Sequence, residues 1–274
     1  MSQRSYLFVP GDRPERYSKA ITSGADAVVI DLEDAVAEPD KDGARQQLLD
    51  EWPGVRAQAH SLGSRVLIRI NSHGSGWLEQ DILLCNGLRP DGVVLPKAAD
   101  SAAVEAVALR MTGLALLPLI ETARGVQNVD QIAQVAGVVR LVFGTVDLMN
   151  ELNADEDEAL DYVRTRIVIA SRAASLEGPV DGVCRAVSDA ARLLHETTRA
   201  LRFGFAAKLC IHPKQVGAVN DAFSPSSRMI DWARRVVAAY ETARGGAVAV
   251  DGEMVDLPVF LRAKSLLASV QHIN

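Results

Sequence analysis

The chain is poor in cysteine, in aromatics and in charge of a single sign, and each shortage excludes something. Its three cysteines, Cys85, Cys184 and Cys210, lie far apart among apolar neighbours and follow no metal-ligand spacing. They are expected as reduced core thiols, neither a disulfide framework nor a zinc site. Aromatics make up only 5%, so the core must come from Ala, Val and Leu, which pack well between parallel strands and helices. The net charge of −6 is spread over interspersed acids and bases with no basic block. Nucleic acid, whose phosphates require a clustered cationic face, is therefore not an expected partner. No apolar run approaches the ~20 residues of a membrane span, and Met1–Val9 has no long apolar stretch of the secretory kind. These absences point to a cytoplasmic protein.

What is present is alternation. Short apolar runs, at Tyr6–Val9, Ala27–Leu32, Val66–Ile70, Gly92–Leu95, Ala115–Ile120, Leu141–Gly144, Val180–Val183 and Phe205–Ile211, read as strands. Between and after them lie amphipathic stretches: Pro14–Thr22, Lys41–Ser61, Leu78–Leu84, Ser101–Met111, Val126–Ala136, Ala159–Leu176, Ala186–Ala200 and Pro213–Phe223. Asp100-Ser101 and Ser188-Asp189 supply usable helix caps. Eight strands, each followed by a helix, is the pattern of a (β/α)8 TIM-type barrel, and about 250 residues is a usual size for one. Val9-Pro10-Gly11-Asp12 after the first strand is not the Gly-rich phosphate-binding turn of a doubly wound sheet. Residues 1–223 are thus assigned to the barrel.

Residues 224–274 do not fit the eightfold count. They begin Ser224-Pro225-Ser226-Ser227 and continue as a helix to about Arg244. Ala247–Val250 and Asp251-Gly252-Glu253-Met254-Val255 then read as a hairpin with an Asp-Gly turn, and a last helix spans Val259–Val270. This C-terminal helix–hairpin–helix extension is either a cap on the barrel or an appendage covering the active site of a neighbouring subunit.

Barrel enzymes carry their chemistry at the C-terminal ends of strands. The polar residues there are Asp31, Glu33 and Asp34; Arg69 and Asn71; Lys97; Glu121; Asp147; and Lys208 with His212. Glu121 and Asp147 follow long apolar runs on adjacent strands. Such carboxylates repel unless a cation compensates, and Mg²⁺ held by one or two carboxylates, water and substrate oxygens is the usual solution. Thiolates and a histidine pair, which would favour zinc, are missing. The plainer alternative is ion pairing of both acids with Arg69, Lys97 or Lys208. Arg69 is a natural partner for the Asp31–Asp34 cluster and could equally grip a substrate carboxylate or a developing oxyanion. His212 is expected in a structural hydrogen bond.

In order and spacing these residues form a pattern. Leu7-Phe8-Val9-Pro10-Gly11 with Arg13-Pro14-Glu15-Arg16, Asp31-Leu32-Glu33-Asp34-Ala35-Val36, Arg69-Ile70-Asn71 and Pro96-Lys97 come first. Ile120-Glu121-Thr122-Ala123-Arg124-Gly125, Phe143-Gly144 with Asp147, Lys208 with Ile211-His212-Pro213 and Gln215, and Asp251–Asp256 with Pro258 follow. Together they resemble the citrate lyase β-subunit-like family of the HpcH/HpaI aldolase superfamily. The resemblance implies an Mg²⁺-dependent carbon–carbon lyase that cleaves, or forms, a 3-hydroxyacyl-CoA thioester of the malyl-, citramalyl-, hydroxymethylglutaryl- or citryl-CoA type. The products would be an acyl-CoA and an α-keto acid such as oxaloacetate, pyruvate or glyoxylate. It also implies metal ligation by Glu121 and Asp147, contact of Arg69 with the enolate oxygen, and a proton-transfer role for Asp256, with Asp34 held in reserve. Glu121, Arg69, Lys97 and Arg13 are the expected substrate contacts. Assembly as a homotrimer or dimer of trimers is expected as well.

Two positions depart from the family pattern. Val146 precedes Asp147 where an acid is common, and Ala207 stands where a glycine is common before the lysine. Both argue against a standard citrate lyase β subunit working on an acyl-carrier protein, and the intact Asp251–Asp256 segment favours free CoA thioesters. A CoA-independent keto-acid aldolase and a carrier-dependent subunit are the alternatives.

Overall fold

The computed structural model describes residues 3–271. Eight parallel strands close into a barrel in sequence order: β1 (Ser5–Pro10), β2 (Ala27–Asp31), β3 (Arg65–Arg69), β4 (Gly92–Leu95), β5 (Leu116–Ile120), β6 (Val142–Phe143), β7 (Val180–Asp181) and β8 (Ala207–Cys210). The register of β1 on β8, Ser5 to Lys208 and Leu7 to Cys210, completes the ring. Side chains alternate across a strand, so each strand feeds two cores. The inward row is Tyr6, Ala27, Val29, Leu67, Val94, Leu117, Leu119, Val142, Val180, Ala207 and Leu209. The outward row, with Leu7, Val28, Ile30, Ile68, Val93 and Phe143, packs under the helices. The (β/α)8 barrel expected from the alternation is the fold observed.

Around it lie α1 (Tyr17–Ile21), α2 (Lys41–Leu62), α3 (Leu78–Leu88), α4 (Ser101–Arg110), α5 (Ala123–Gln127), α6 (Val129–Ala133), α7 (Thr145–Leu152), α8 (Asp161–Ala173), α9 (Ala190–Phe203) and α10 (Pro213–Phe223). The caps at Asp100 and Asp189 form, each side chain accepting an N–H three residues on. Two expectations need correction. The helix expected over Val126–Ala136 is broken into α5 and α6 at Asn128, whose amide instead donates to Ala99 O at 2.8 Å. The strand end expected at Gly144 to Asp147 is shorter, because β6 stops at Phe143 and Thr145 begins α7.

The bottom of the barrel is closed by Arg140, 1% exposed. Its Nε donates to Gly178 O and its Nη1 to Gln3 O and the Tyr6 hydroxyl. All three cysteines are buried and free.

Residues from Ser224 on form a second compact unit. Helix α11 (Ser227–Thr242) is capped by Ser226, strands β9 (Val248–Val250) and β10 (Glu253–Val255) pair antiparallel, and α12 spans Leu257–Gln271. Asp251 and Gly252, with φ of 54° and 85°, make the left-handed turn that an Asp-Gly hairpin requires. Its core joins Ala233, Val236 and Tyr240 to Val250, Val255 and Ala263. Among the described residues no helix is long and apolar enough to cross a membrane.

Candidate active site

The inward rows run out of apolar side chains at the C-terminal ends of the strands. Continuing the period of two past Val29, Leu67 and Leu119 brings Asp31, Arg69 and Glu121 into the mouth of the barrel. They line a cavity of about 440 Å³ together with Asp34, Asp147 and Thr145, walled by Phe8, Leu119, Phe143, Val146, Val183, Leu209 and Ile211.

Arg69 and Asp31 form the fixed part. Arg69 Nε and Nη2 donate to the two Asp31 carboxylate oxygens at 2.7 and 2.6 Å. Arg69 Nη1 lies 3.0 Å from Glu33 Oε2, an ion pair without hydrogen-bond alignment. Burial works against the guanidinium charge, but Asp31 and then Glu33 outweigh it and push the Arg69 pKa above its ordinary value. Asp31 takes two of the five guanidinium N–H donors and Glu33 faces a third, so donors remain for a substrate oxygen. The guanidinium also stacks over Phe8 at 4.8 Å, which sets its plane. Lys97 Nζ donates to Glu33 Oε1 at 2.5 Å and lies 3.6 Å from Asp34.

Glu121 is different. It is 2% exposed, yet among the described residues no cation pairs with it and Oε1 accepts only the backbone N–H of Lys97, at 2.7 Å. Burial, and then the nearby charge of Asp147, push its carboxyl up to about 8, against the pull of the Lys97 N–H and of Arg69. The Asp147 carboxylate makes no hydrogen bond or ion pair to a described residue. It sits in the first turn of α7, where the helix dipole favours an acid. A Cβ at Gly144 would overlap Glu121 Cβ and Oε2, so glycine there is what leaves room for the carboxylate.

Two acids left without a cation at the edge of a cavity are a fit for a divalent ion. Among the described residues no three acid, His or Cys side chains converge. The donor set is that of a hard cation completed by water and ligand oxygens, as for Mg²⁺, and it does not fit zinc. Ion pairing of these acids with Arg69, Lys97 or Lys208 is not what the structure shows.

Other expected residues lie elsewhere. Arg13 projects to solvent on the loop after β1, 3.9 Å from Asp12, and does not line the cavity. Lys97 stands at the rim beside Glu33. Asn71 turns away from Arg69 and donates to Leu32 O and Asp81. His212 accepts the Lys214 N–H at Nδ1, the structural bond expected of it. Asp256 belongs to the second unit, where its Oδ1 accepts the Val259 N–H. Lys208 follows the inward Ala207 and so points outward, to Asp181 at 2.6 Å. Both line a larger polar cavity of about 710 Å³ under α8 and α9, whose buried charges are satisfied mutually: Lys208 by Asp181, Arg164 by Asp157.

Several lining residues, Phe8, Leu119, Val183, Leu209 and Ile211, were legible only as strand residues. Counting in twos from Tyr6, Leu117 and Ala207 places Phe8, Leu119, Leu209 and Ile211, whereas Val183 lies past the end of β7, out of step with Val180, and only the fold places it.

A parallel barrel with an arginine–aspartate pair and two carboxylates without a described cation partner around its C-terminal mouth has the layout of a barrel enzyme. The chain belongs to the HpcH/HpaI aldolase/citrate lyase family, whose model matches residues 4–213. It is 36% identical over 270 residues to a citrate lyase subunit beta-like protein of Mycobacterium tuberculosis, covering 96% of this chain and 93% of that one. It is 34% identical over 277 residues to a (3S)-malyl-CoA thioesterase of Cereibacter sphaeroides, covering 98% and 95%. The structure is similar to that of CitE from Mycobacterium tuberculosis in complex with magnesium, acetoacetate and coenzyme A. There the TM-score is 0.84 at 33% identity, over 98% of this chain and 99% of that one.

Proposed function

We propose that the protein is an Mg²⁺-dependent carbon–carbon lyase that cleaves, or forms, a 3-hydroxyacyl-CoA thioester, giving an acyl-CoA and an α-keto acid. The observation that carries this reading is that Glu121 and Asp147, without an ion-pair partner among the described residues, share a cavity with an Arg69 that keeps donors free. The magnesium, acetoacetate and coenzyme A bound by the similar CitE structure support it.

Bound at Glu121 and Asp147, Mg²⁺ would supply Lewis-acid polarisation of the keto-acid end of the substrate. The remaining work falls to the chain. Asp34, exposed on the cavity rim and 3.6 Å from Lys97, takes the hydroxyl proton. As the carbon–carbon bond breaks, its electron pair passes into the thioester. Arg69 holds the developing enolate oxygen, an interaction of oxyanion-hole type worth about 3–4 kcal/mol. Asp31 and Glu33 keep Arg69 in place. Protonation of the enolate carbon completes the acyl-CoA, and Asp256 is the residue proposed for that proton. A homotrimer or dimer of trimers, readable from the mass in solution, is part of the same proposal.

The test offers malyl-, citramalyl-, hydroxymethylglutaryl- and citryl-CoA to the purified protein with and without Mg²⁺, and detects keto acid and free thiol separately. Metal-dependent keto acid without thiol is the expected result. Thiol without keto acid would mean thioester hydrolysis, a second reading favoured by the malyl-CoA thioesterase relative. Neither product would move the reading to a CoA-independent aldolase or a carrier-dependent subunit.

A pH dependence follows from Glu121. A carboxyl at about 8 must lose its proton before it can bind a cation. The apparent Mg²⁺ affinity is expected to rise up to about tenfold per pH unit between about 6 and 8 and then to level, which calorimetric titration measures. The sign for stability is opposite. The folded state holds a proton that the unfolded chain releases near 4.5, so this group's contribution falls as pH rises from there to about 8. Added Mg²⁺ should therefore raise Tm more at pH 8 than at pH 6. A Mg²⁺ affinity flat across that range would sink the assignment.

A further inference from the structure

Lys97 is held in a conformation that its side chain does not explain. Its φ is 52°, in the left-handed region that a residue with a Cβ adopts only at a cost. The turn is pinned from several sides. Ala98 N donates to Leu119 O at 3.2 Å and Asn128 Nδ2 to Ala99 O at 2.8 Å. A Cβ at Gly125 would overlap the Ala98 carbonyl oxygen, so α5 sits directly against the turn. Such strain persists only where its surroundings over-determine it. Here its product is one main-chain N–H aimed at Glu121 Oε1.

We propose that Lys97 is a positioning residue for the metal site, acting through its backbone. The left-handed turn after β4 occupies Glu121 Oε1 and leaves Oε2 for the cation. This rests on the reading of Glu121 as a metal ligand. The geometry fixes the carboxylate from two directions. Gly144 gives room on the Oε2 side, and the Lys97 N–H restrains the Oε1 side, as outer partners of metal ligands commonly do. The ammonium has a separate task. It closes on Glu33, which faces Arg69, so one residue links the metal carboxylate to the arginine group by its two ends.

The two ends can be separated by substitution. Lys97→Gly and Lys97→Asn remove the ammonium but accept the left-handed backbone. Lys97→Val also removes the ammonium, and its β-branch opposes that backbone. Mg²⁺ affinity is measured by calorimetry on the metal-free full-length protein, with Glu121→Gln alongside and circular dichroism melts as a check on folding.

The expected result is Mg²⁺ affinity within about threefold of the parent for the Gly and Asn variants, and a loss of about 10–100-fold for Val, the range found for outer-shell partners. Should the Val variant not fold, Lys97→Ala is expected to fall below Gly and Asn. Equal affinity in all variants overturns the proposal, and so does an equal loss, which would assign the effect to the ammonium. Undiminished Mg²⁺ binding by Glu121→Gln would overturn both this proposal and the metal assignment beneath it.

Discussion

Glu121→Gln is expected to lower Mg²⁺-dependent carbon–carbon cleavage of the CoA thioester by about 10³-fold or more while leaving the metal-free protein at least as stable as the parent. The amide keeps the volume of the carboxylate, and its oxygen can still accept the Lys97 N–H now received at 2.7 Å. What is lost is charge. Polarisation by a bound metal is worth several kcal/mol, and each 1.36 kcal/mol is a factor of ten in rate. Without a metal the charge is a burden. Burial and Asp147 raise the Glu121 carboxyl to about 8, so at pH 8 folding must either protonate Glu121 or set its charge against Asp147. The amide removes that repulsion. Steady-state kinetics and melting curves at pH 8 in chelator check the two halves. Retained turnover would remove Glu121 from the metal site.

Arg69→Met is expected to do the reverse, costing stability and activity together. The Asp31 and Glu33 side chains are 3% and 5% exposed, and the substitution strands both without their guanidinium. Breaking a buried pair from one side typically costs about 3–5 kcal/mol. Asp31 keeps the N–H bonds of Glu33 and Ala35, which moderates its share. Urea unfolding measures the loss, and kcat/KM is expected to fall about 10²–10³-fold from the missing oxyanion contact. Arg69→Lys separates the roles, since a lysine restores charge but not the two-pronged grip on Asp31. If it recovers stability but not turnover, the guanidinium geometry serves the reaction. Full turnover in Arg69→Met would confine the residue to structure.

Strand positions were legible in the sequence because a parallel strand buried on both faces leaves a short continuous apolar run. Tyr6–Val9 and Gly92–Leu95 fall within or on the observed strands for that reason. Acids ending such runs, Asp31 and Glu121, were legible by the same signal. Asp147 was placed on a strand end because Leu141–Gly144 gives no sign of where pairing stops; only the barrel's closure leaves β6 two residues long. Lys208 looked equivalent to Lys97 because both end apolar runs. Which face each presents depends on counting in twos from a residue known to point inward, and that reference comes with the fold. The left-handed backbone of Lys97 left no trace at all, since lysine is not a residue that advertises such a turn.

Arg140 gives the barrel a floor. Its guanidinium reaches Gln3 ahead of β1, Tyr6 on β1 and the approach to β7 at Gly178, and filled layers of side chains lie above it. Among the described residues these layers fill the barrel axis, so the strand-end mouth serves for entry and exit alike. Partners that share one doorway must queue: the molecule admitted first departs last. For the lyase proposed above, this predicts ordered kinetics, in which product-inhibition patterns show the inner product competing directly with its own return and the outer product inhibiting in a different pattern.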